Sequence, residues 1–252
     1  MTKHEVGSRI RNLVVRGALA LALATLVCLL VLRRSSMTVR DHATSTRPDT
    51  LHVLFIGNSH TFVNDLPGVF EKLIRAKHPG RGLAITEVTM GGATLADHLE
   101  DGAAARTIAR SPRDYVVLQE RSLTPIYAPD AFENSVRRFD ALVKAAHAKT
   151  VIYELWPHRD ATSSDEDVYA RVARAVGAIL VRVGPAWVHA LARDPNLPLY
   201  APDGYHPAPA GTYLAACVFY ATLLGETVDD LPTLDMVTPE VAAKLHRAAA
   251  LQ

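Results

Sequence analysis

Between residues 51 and 224 the chain alternates short, nearly continuous apolar runs with longer stretches whose apolar residues recur every three or four positions. Few folds accept that pattern. The runs at 51–57, 83–90, 115–119, 150–156 and 179–183 have strand length, and strands this apolar must be covered on both faces. The stretches at 67–77, 94–109, 130–148 and 165–176, one from about 185 and a last one at 209–224 carry helical spacing. Strand, covering helix and strand again predict an α/β domain, a three-layer α/β/α sandwich with a central parallel sheet of about five strands. Such sheets place their sites at the C-terminal ends of the strands, so the residues just after each run are the ones to read for chemistry.

Upstream the chain changes character. Lys3, Arg9, Arg11 and Arg16 precede an uncharged run rich in Leu, Ala and Val at 17–32, closed by Arg33 and Arg34. Counted from Leu13, the run reaches the roughly 20 residues that a bilayer core needs, with the long stem of Arg16 snorkelling to the interface. Residues 1–34 therefore read as a membrane anchor, an N-terminal transmembrane helix. A cleaved signal peptide is the rival reading, but no small-x-small cleavage pattern follows, and Val27 before Cys28 spoils a lipoprotein signal. Basic residues flank both sides, and their excess before the run favours a single-pass protein with its domain on the extracytoplasmic side. Residues 35–50, rich in Ser, Thr, Arg and Asp and without apolar period, read as a flexible tether. The folded domain is expected at 51–252.

Composition narrows the partners. With 27 basic against 26 acidic residues the net charge is +1, which gives no field to gather nucleic acid. Cys28 and Cys217 are the only cysteines, too few for a disulfide framework or a thiolate metal site. No two of the eleven histidines have the His-x-x-x-His spacing of a helical zinc site, so no metal is expected.

Four blocks at strand exits carry chemistry. In Gly57-Asn58-Ser59-His60 a serine sits at the mouth of the sheet, where a helical turn directs unpaired N–H groups at developing negative charge, although by itself the junction reads first as a helix cap. The paired Gly91 and Gly92 let backbone approach a ligand. An all-apolar strand delivers the carboxamide of Gln119 to the same edge, ahead of Glu120 and Arg121, which alone would read as a local ion pair. Finally Asp203-Gly204-Tyr205-His206 puts a carboxylate three residues before an imidazole, in a proline-rich loop. That spacing lets Asp203 hold Nδ1 of His206 and leaves Nε2 free to take a proton from a serine.

Taken together and in this order, the blocks resemble those of the SGNH hydrolases, the GDSL-like lipases and acylhydrolases, over residues 51–225. Asn58 and His60 depart from the usual Gly-Asp-Ser-Leu text, and Gln119 stands where the family usually has Asn. The resemblance implies a flavodoxin-like sandwich, a catalytic domain at 51–252 and ester hydrolysis through an acyl-serine, with no metal or organic cofactor. It also implies catalytic Ser59, Asp203 and His206, and an oxyanion hole from the N–H groups of Ser59 and Gly92 with the amide of Gln119, Gly91 replacing Gly92 if the register shifts by one. The expected partner is a small-molecule or glycan ester, with short connections after the strands favouring small acyl groups such as acetyl. An O-acyltransferase acting on an envelope polysaccharide and a catalytically dead glycan-binding module are the alternatives. Outside these blocks, His158 is on the right edge to touch substrate but reads more readily as a capping or loop residue. His98 reads as a helix-face residue, and Tyr213, Phe219 and Tyr220 as packing.

Overall fold

The computed structural model of the protein describes residues 36–44, 49–110, 112–160 and 166–251, and the expected anchor lies outside them. Among the described residues no helix is long and apolar enough to cross a membrane.

The five expected strands form, as β2 (Leu51–Gly57), β3 (Leu83–Thr89), β4 (Tyr115–Leu118), β5 (Lys149–Glu154) and β6 (Ile179–Arg182). They pair in parallel in the order β3-β2-β4-β5-β6, with Ile56 of β2 level with Val88 on one side and Leu118 on the other. This is the flavodoxin-like order, in which the chain goes first to one side of β2 and then to the other. The crevice so created opens at the C-terminal ends of β2 and β4.

Alternate residues of each strand feed two cores. Val53 and Phe55 pack with Phe70, Leu73, Tyr153 and Phe219 on one face. Leu54, Ile56, Val116 and Leu118 pack with Phe132, Val136, Phe139 and Tyr169 on the other. The first face is covered by α2 (Leu66–Lys77), α8 (Val183–Arg193), α9 (Pro209–Leu224) and α10 (Pro239–Ala249), which follow the short α1 (Ser59–Phe62) in the numbering used here. The second is covered by α3 (Leu95–Asp101), α4 (Ala103–Arg110), α6 (Pro129–Ala145) and α7 (Glu166–Val176), with the four-residue α5 (Thr124–Tyr127) ahead of α6. α9 is buried nearly all round, Tyr213, Phe219 and Tyr220 included, as expected for a helix without a polar face.

Three features differ from the sequence expectations. The segment read as a tether contains a strand, β1 (Thr38–Ala43), antiparallel to β3 at the edge of a six-stranded sheet. Polar contacts hold it: Thr86 Oγ1 donates to Asp41 Oδ1 at 2.8 Å, and His42 sits between Asp65 and Glu87 at 3.3 and 3.5 Å. Charged side chains are how edge strands avoid further pairing, and an apolar-periodicity search passes over them. The single helix expected at 94–109 is two, divided at Gly102 with φ +78°. The helix read as last is followed by α10, capped by the Thr238 hydroxyl, which accepts from Val241 N at 3.3 Å.

Candidate active site

Three strand exits meet at the crevice and are tied together by buried polar groups. After Gly57, Asn58 caps α1, its Oδ1 accepting from His60 N at 3.1 Å, so Ser59 holds the first helical position and is not the cap. Asn58 Nδ2 donates to Ala93 O at 2.8 Å, and Asn58 N–H donates to Gln119 Oε1 at 2.7 Å. One residue thus fastens the serine turn to the exits of β3 and β4 at once. His98, fully buried on α3, donates from Nε2 to Gly57 O at 2.8 Å. Burial holds its pKa below the usual histidine range. Glu120, also buried, accepts from Arg121 N at 2.7 Å and from Leu95 N at 3.3 Å. Burial outweighs those hydrogen bonds and pushes its pKa up to about 7.

Opposite these exits stands the loop before α9. Asp203 Oδ1 accepts from Tyr205 N and His206 N at 3.1 and 3.0 Å, while Oδ2 accepts from His206 Nδ1 at 2.7 Å. Slight burial opposes ionisation, but these hydrogen bonds, led by the one from the His206 ring, hold the Asp203 carboxyl at about 2. On the other side of the imidazole, Ser59 Oγ donates to Nε2 at 2.7 Å. The structure therefore brings Ser59, His206 and Asp203 into one hydrogen-bonded line, the arrangement in which an imidazole of fixed tautomer can deprotonate a hydroxyl. Distant contacts steady the loop: Trp156 Nε1 donates to Tyr205 O at 3.0 Å, and Asn64 Nδ2 to Pro207 O at 2.8 Å.

Against His206, and on the same cavity, lies the ring of His60, with centroids 5.1 Å apart. Burial above all, and then the neighbouring His206, lower the pKa of His60 to about 4. His60 is accordingly a neutral packing ring, filling the place where the family text has leucine, and it adds no positive charge against a protonated His206.

Ser59, His206 and Gly92 line a cavity of about 740 Å³. Gly92 has φ +71°, a left-handed conformation that a side chain would strain, and Gly91 is not among the lining residues. Among the described residues neither Ser59 N–H nor Gly92 N–H has a protein acceptor. Gln119 departs from expectation. Its side chain is fully buried and does not line the cavity; Oε1 accepts from Asn58 N–H and from Thr61 Oγ1 at 3.0 Å, and Nε2 donates to Glu120 O. A backbone N–H can donate only to the carbonyl end, so the Asn58 contact fixes the amide's direction. The physical reason for the inward turn is the otherwise orphaned N–H of Asn58, which a longer side chain than Asn reaches.

The cavity also holds residues to which the blocks assigned no role. His158 lines it, and its Nε2 is 3.1 Å from Ser122 Oγ. Tyr205 and the exposed Tyr127 line it as well. For Ser122 and Tyr205 the available signal was their position, three residues after Gln119 and one before His206.

No protein-family model and no curated protein matches the sequence. Among solved structures, a protein from Slackia heliotrinireducens assigned to the SGNH hydrolases is 32% identical, covering 69% of this chain and 99% of its own, at a TM-score of 0.58. The chain belongs to the SGNH hydrolases. A GDSL-like lipase from Parabacteroides merdae (15% identity, 73% of this chain and 100% of that one, TM-score 0.59) shares the fold. So does a catalytic mutant of an acetylxylan esterase from Geobacillus stearothermophilus (16% identity, 71% and 96%, TM-score 0.56). Within this SGNH hydrolase the departures from the usual text are structural: Asn58 caps and bridges, His60 packs, and Gln119 braces the serine turn.

Proposed function

We propose that the protein is a serine esterase that works through an acyl-serine intermediate. The observation that carries this reading is the unbroken line from Asp203 through His206 to Ser59 Oγ, 2.7 Å at each link. His206 takes the Ser59 proton as the oxygen attacks the acyl carbon. The N–H groups of Ser59 and Gly92 hold the oxyanion. The imidazolium then gives its proton to the departing alcohol, and water, deprotonated by the same imidazole, releases the acid and restores the serine. Asp203, ionised far below neutral pH, stabilises the imidazolium throughout.

The substrate proposed is a small acyl group, acetyl in the first place, on a carbohydrate or similar alcohol. Long acyl chains need enclosed apolar walls, whereas two of the large apolar side chains on this cavity, Leu123 and Tyr127, stand open to solvent, 38% and 79% exposed. The acetylxylan esterase among the structural neighbours acts on a substrate of this kind. The catalytically dead binding module loses its supports, since Asn58 and Gln119 both have bracing roles. We include in the proposal an anchor at 1–34 that holds the domain at the extracytoplasmic face of a membrane.

The test is hydrolysis of p-nitrophenyl acetate by the full chain in detergent, together with fluorophosphonate labelling. Ser59→Ala should abolish both, and His206→Ala should lower hydrolysis by about 10⁴-fold or more. A folded parent that neither hydrolyses the ester nor takes the label would end the esterase reading.

A further inference from the structure

The cavity contains a second serine–histidine contact that the reaction above does not use. Ser122, in the loop after β4, and His158, in the loop after β5, meet across it with 3.1 Å between Oγ and Nε2. Their position relative to the reacting atoms follows from the chemistry. His206 must hand its proton to the leaving oxygen, so the alcohol half of the ester lies on the His206 side of Ser59. From His206 a row of rings leads to the pair: Tyr205 lies 4.2 Å away, centroid to centroid, and His158 stacks on Tyr205 at 5.4 Å with 24° between planes. Ser122 stands at the end of this row.

The chemistry of the pair is well defined. Burial lowers the His158 pKa, with Asp203 opposing and His206 reinforcing the shift, which favours the neutral ring. A neutral imidazole has one N–H and one lone pair, and a hydroxyl both donates and accepts. If Ser122 donates to Nε2, its oxygen still accepts; if it accepts from Nε2, its O–H is still free to donate. In either tautomer a hydrogen-bonding position faces the cavity. An alkyl or aryl alcohol leaves that position unmet, whereas a second hydroxyl beside the ester oxygen satisfies it. Tyr127, 79% exposed on the same cavity, adds an aromatic face of the kind that sugar rings cover.

We propose that Ser122 and His158 form a hydroxyl-recognising subsite on the alcohol side of the scissile ester, which selects acyl groups carried on a polyol, above all a sugar, over those on a simple alcohol. The inference rests on the esterase reading and assigns its specificity. It makes both residues specificity determinants, outside the proton-transfer line.

The experiment compares kcat/KM of the full chain for a methyl xylopyranoside carrying one acetyl group with kcat/KM for p-nitrophenyl acetate, which has no second hydroxyl, and reads the ratio. Loss of one such hydrogen bond corresponds to a fall in the ratio of about 3- to 10-fold, expected in both Ser122→Ala and His158→Phe. Ser122→Thr, which keeps the hydroxyl, should restore the ratio. A ratio within about twofold of the parent in Ser122→Ala and His158→Phe overturns the subsite, as does a parent that hydrolyses p-nitrophenyl acetate but not the acetylated sugar. A parent that hydrolyses neither overturns the esterase reading, and the subsite with it.

Discussion

Replacing Gln119 with alanine separates two roles that one side chain cannot hold together. As an oxyanion donor Gln119 would act on the rate: losing one donor typically costs about 100- to 1,000-fold and leaves stability nearly untouched. As the brace seen here it acts on stability. The substitution orphans Asn58 N–H, which donates at 2.7 Å to a side chain with no exposure, and an unmet buried N–H costs about 1–3 kcal/mol. The vacated space, on the order of 50 Å³ at about 24 cal/mol per Å³, adds about 1 kcal/mol. The sum, about 2–4 kcal/mol, lowers Tm by about 4–16 °C for a domain of this size.

Gln119→Met isolates the hydrogen-bond part. It fills the same volume without an acceptor, so it should cost only about 1–3 kcal/mol. Thermal unfolding of parent, Ala and Met forms, with hydrolysis measured well below the lowest midpoint, gives the comparison. An unchanged Tm in Gln119→Ala, accompanied by a rate loss of 100-fold or more, would refute the bracing argument and return the amide to the oxyanion hole.

Three further outcomes are expected. Glu120 binds a proton in the folded protein up to about pH 7 but releases it near 4.5 when unfolded, so its contribution to stability is full below about pH 4.5 and is lost as pH rises to 7. The difference corresponds to about 3 kcal/mol; in urea unfolding the stability of the parent relative to Glu120→Gln should fall by roughly that amount between pH 4.5 and 8, and a pH-independent difference would remove the buried ionisation from the account. Gly57→Ala would drive a methyl into Thr61 Oγ1 and Gln119 Oε1, so circular dichroism melting should show destabilisation by several kcal/mol, of the order seen for overpacking (about 1–3 kcal/mol) plus the broken brace. p-Nitrophenyl acetate should be hydrolysed faster than the octanoate, and the reverse order would sink the small-acyl assignment.

What was legible in the sequence, and what was not, divides along a physical line. Five strands were readable because their runs are mostly apolar and of strand length, and the flavodoxin-like sandwich is what the family resemblance implies. β1 was not, because Asp41 and His42 hold it through Thr86, Asp65 and Glu87, contacts that no periodicity records. The Asp203–His206 contact was readable because both groups belong to one short loop, where spacing alone determines whether they can touch. Ser59 was readable because a strand exit has only one direction.

The residues that resisted were polar groups whose partners lie on another strand exit. An amide after β4 can turn outward to a substrate or inward to an unpaired N–H, and the sequence contains no statement of which vacancy is larger. The structure answers through Asn58: its N–H, already pointing inward at the end of β2, would be buried unmet without Gln119. His98 on Gly57 O and Glu120 on Leu95 N likewise each satisfy a backbone group of a neighbouring exit. Gln119, expected in the oxyanion hole, and the polar Glu120 and His98 beside it are thereby committed to holding three loops in register. A reactive serine needs its turn fixed to a fraction of an ångström relative to His206, which sits 147 positions away in the chain. Buried polar bracing supplies that fixity where apolar packing, which has no direction, would not. A polar residue at a strand exit is thus as readily a support for the site as a member of it, and only the location of the nearest unmet backbone group decides between the two.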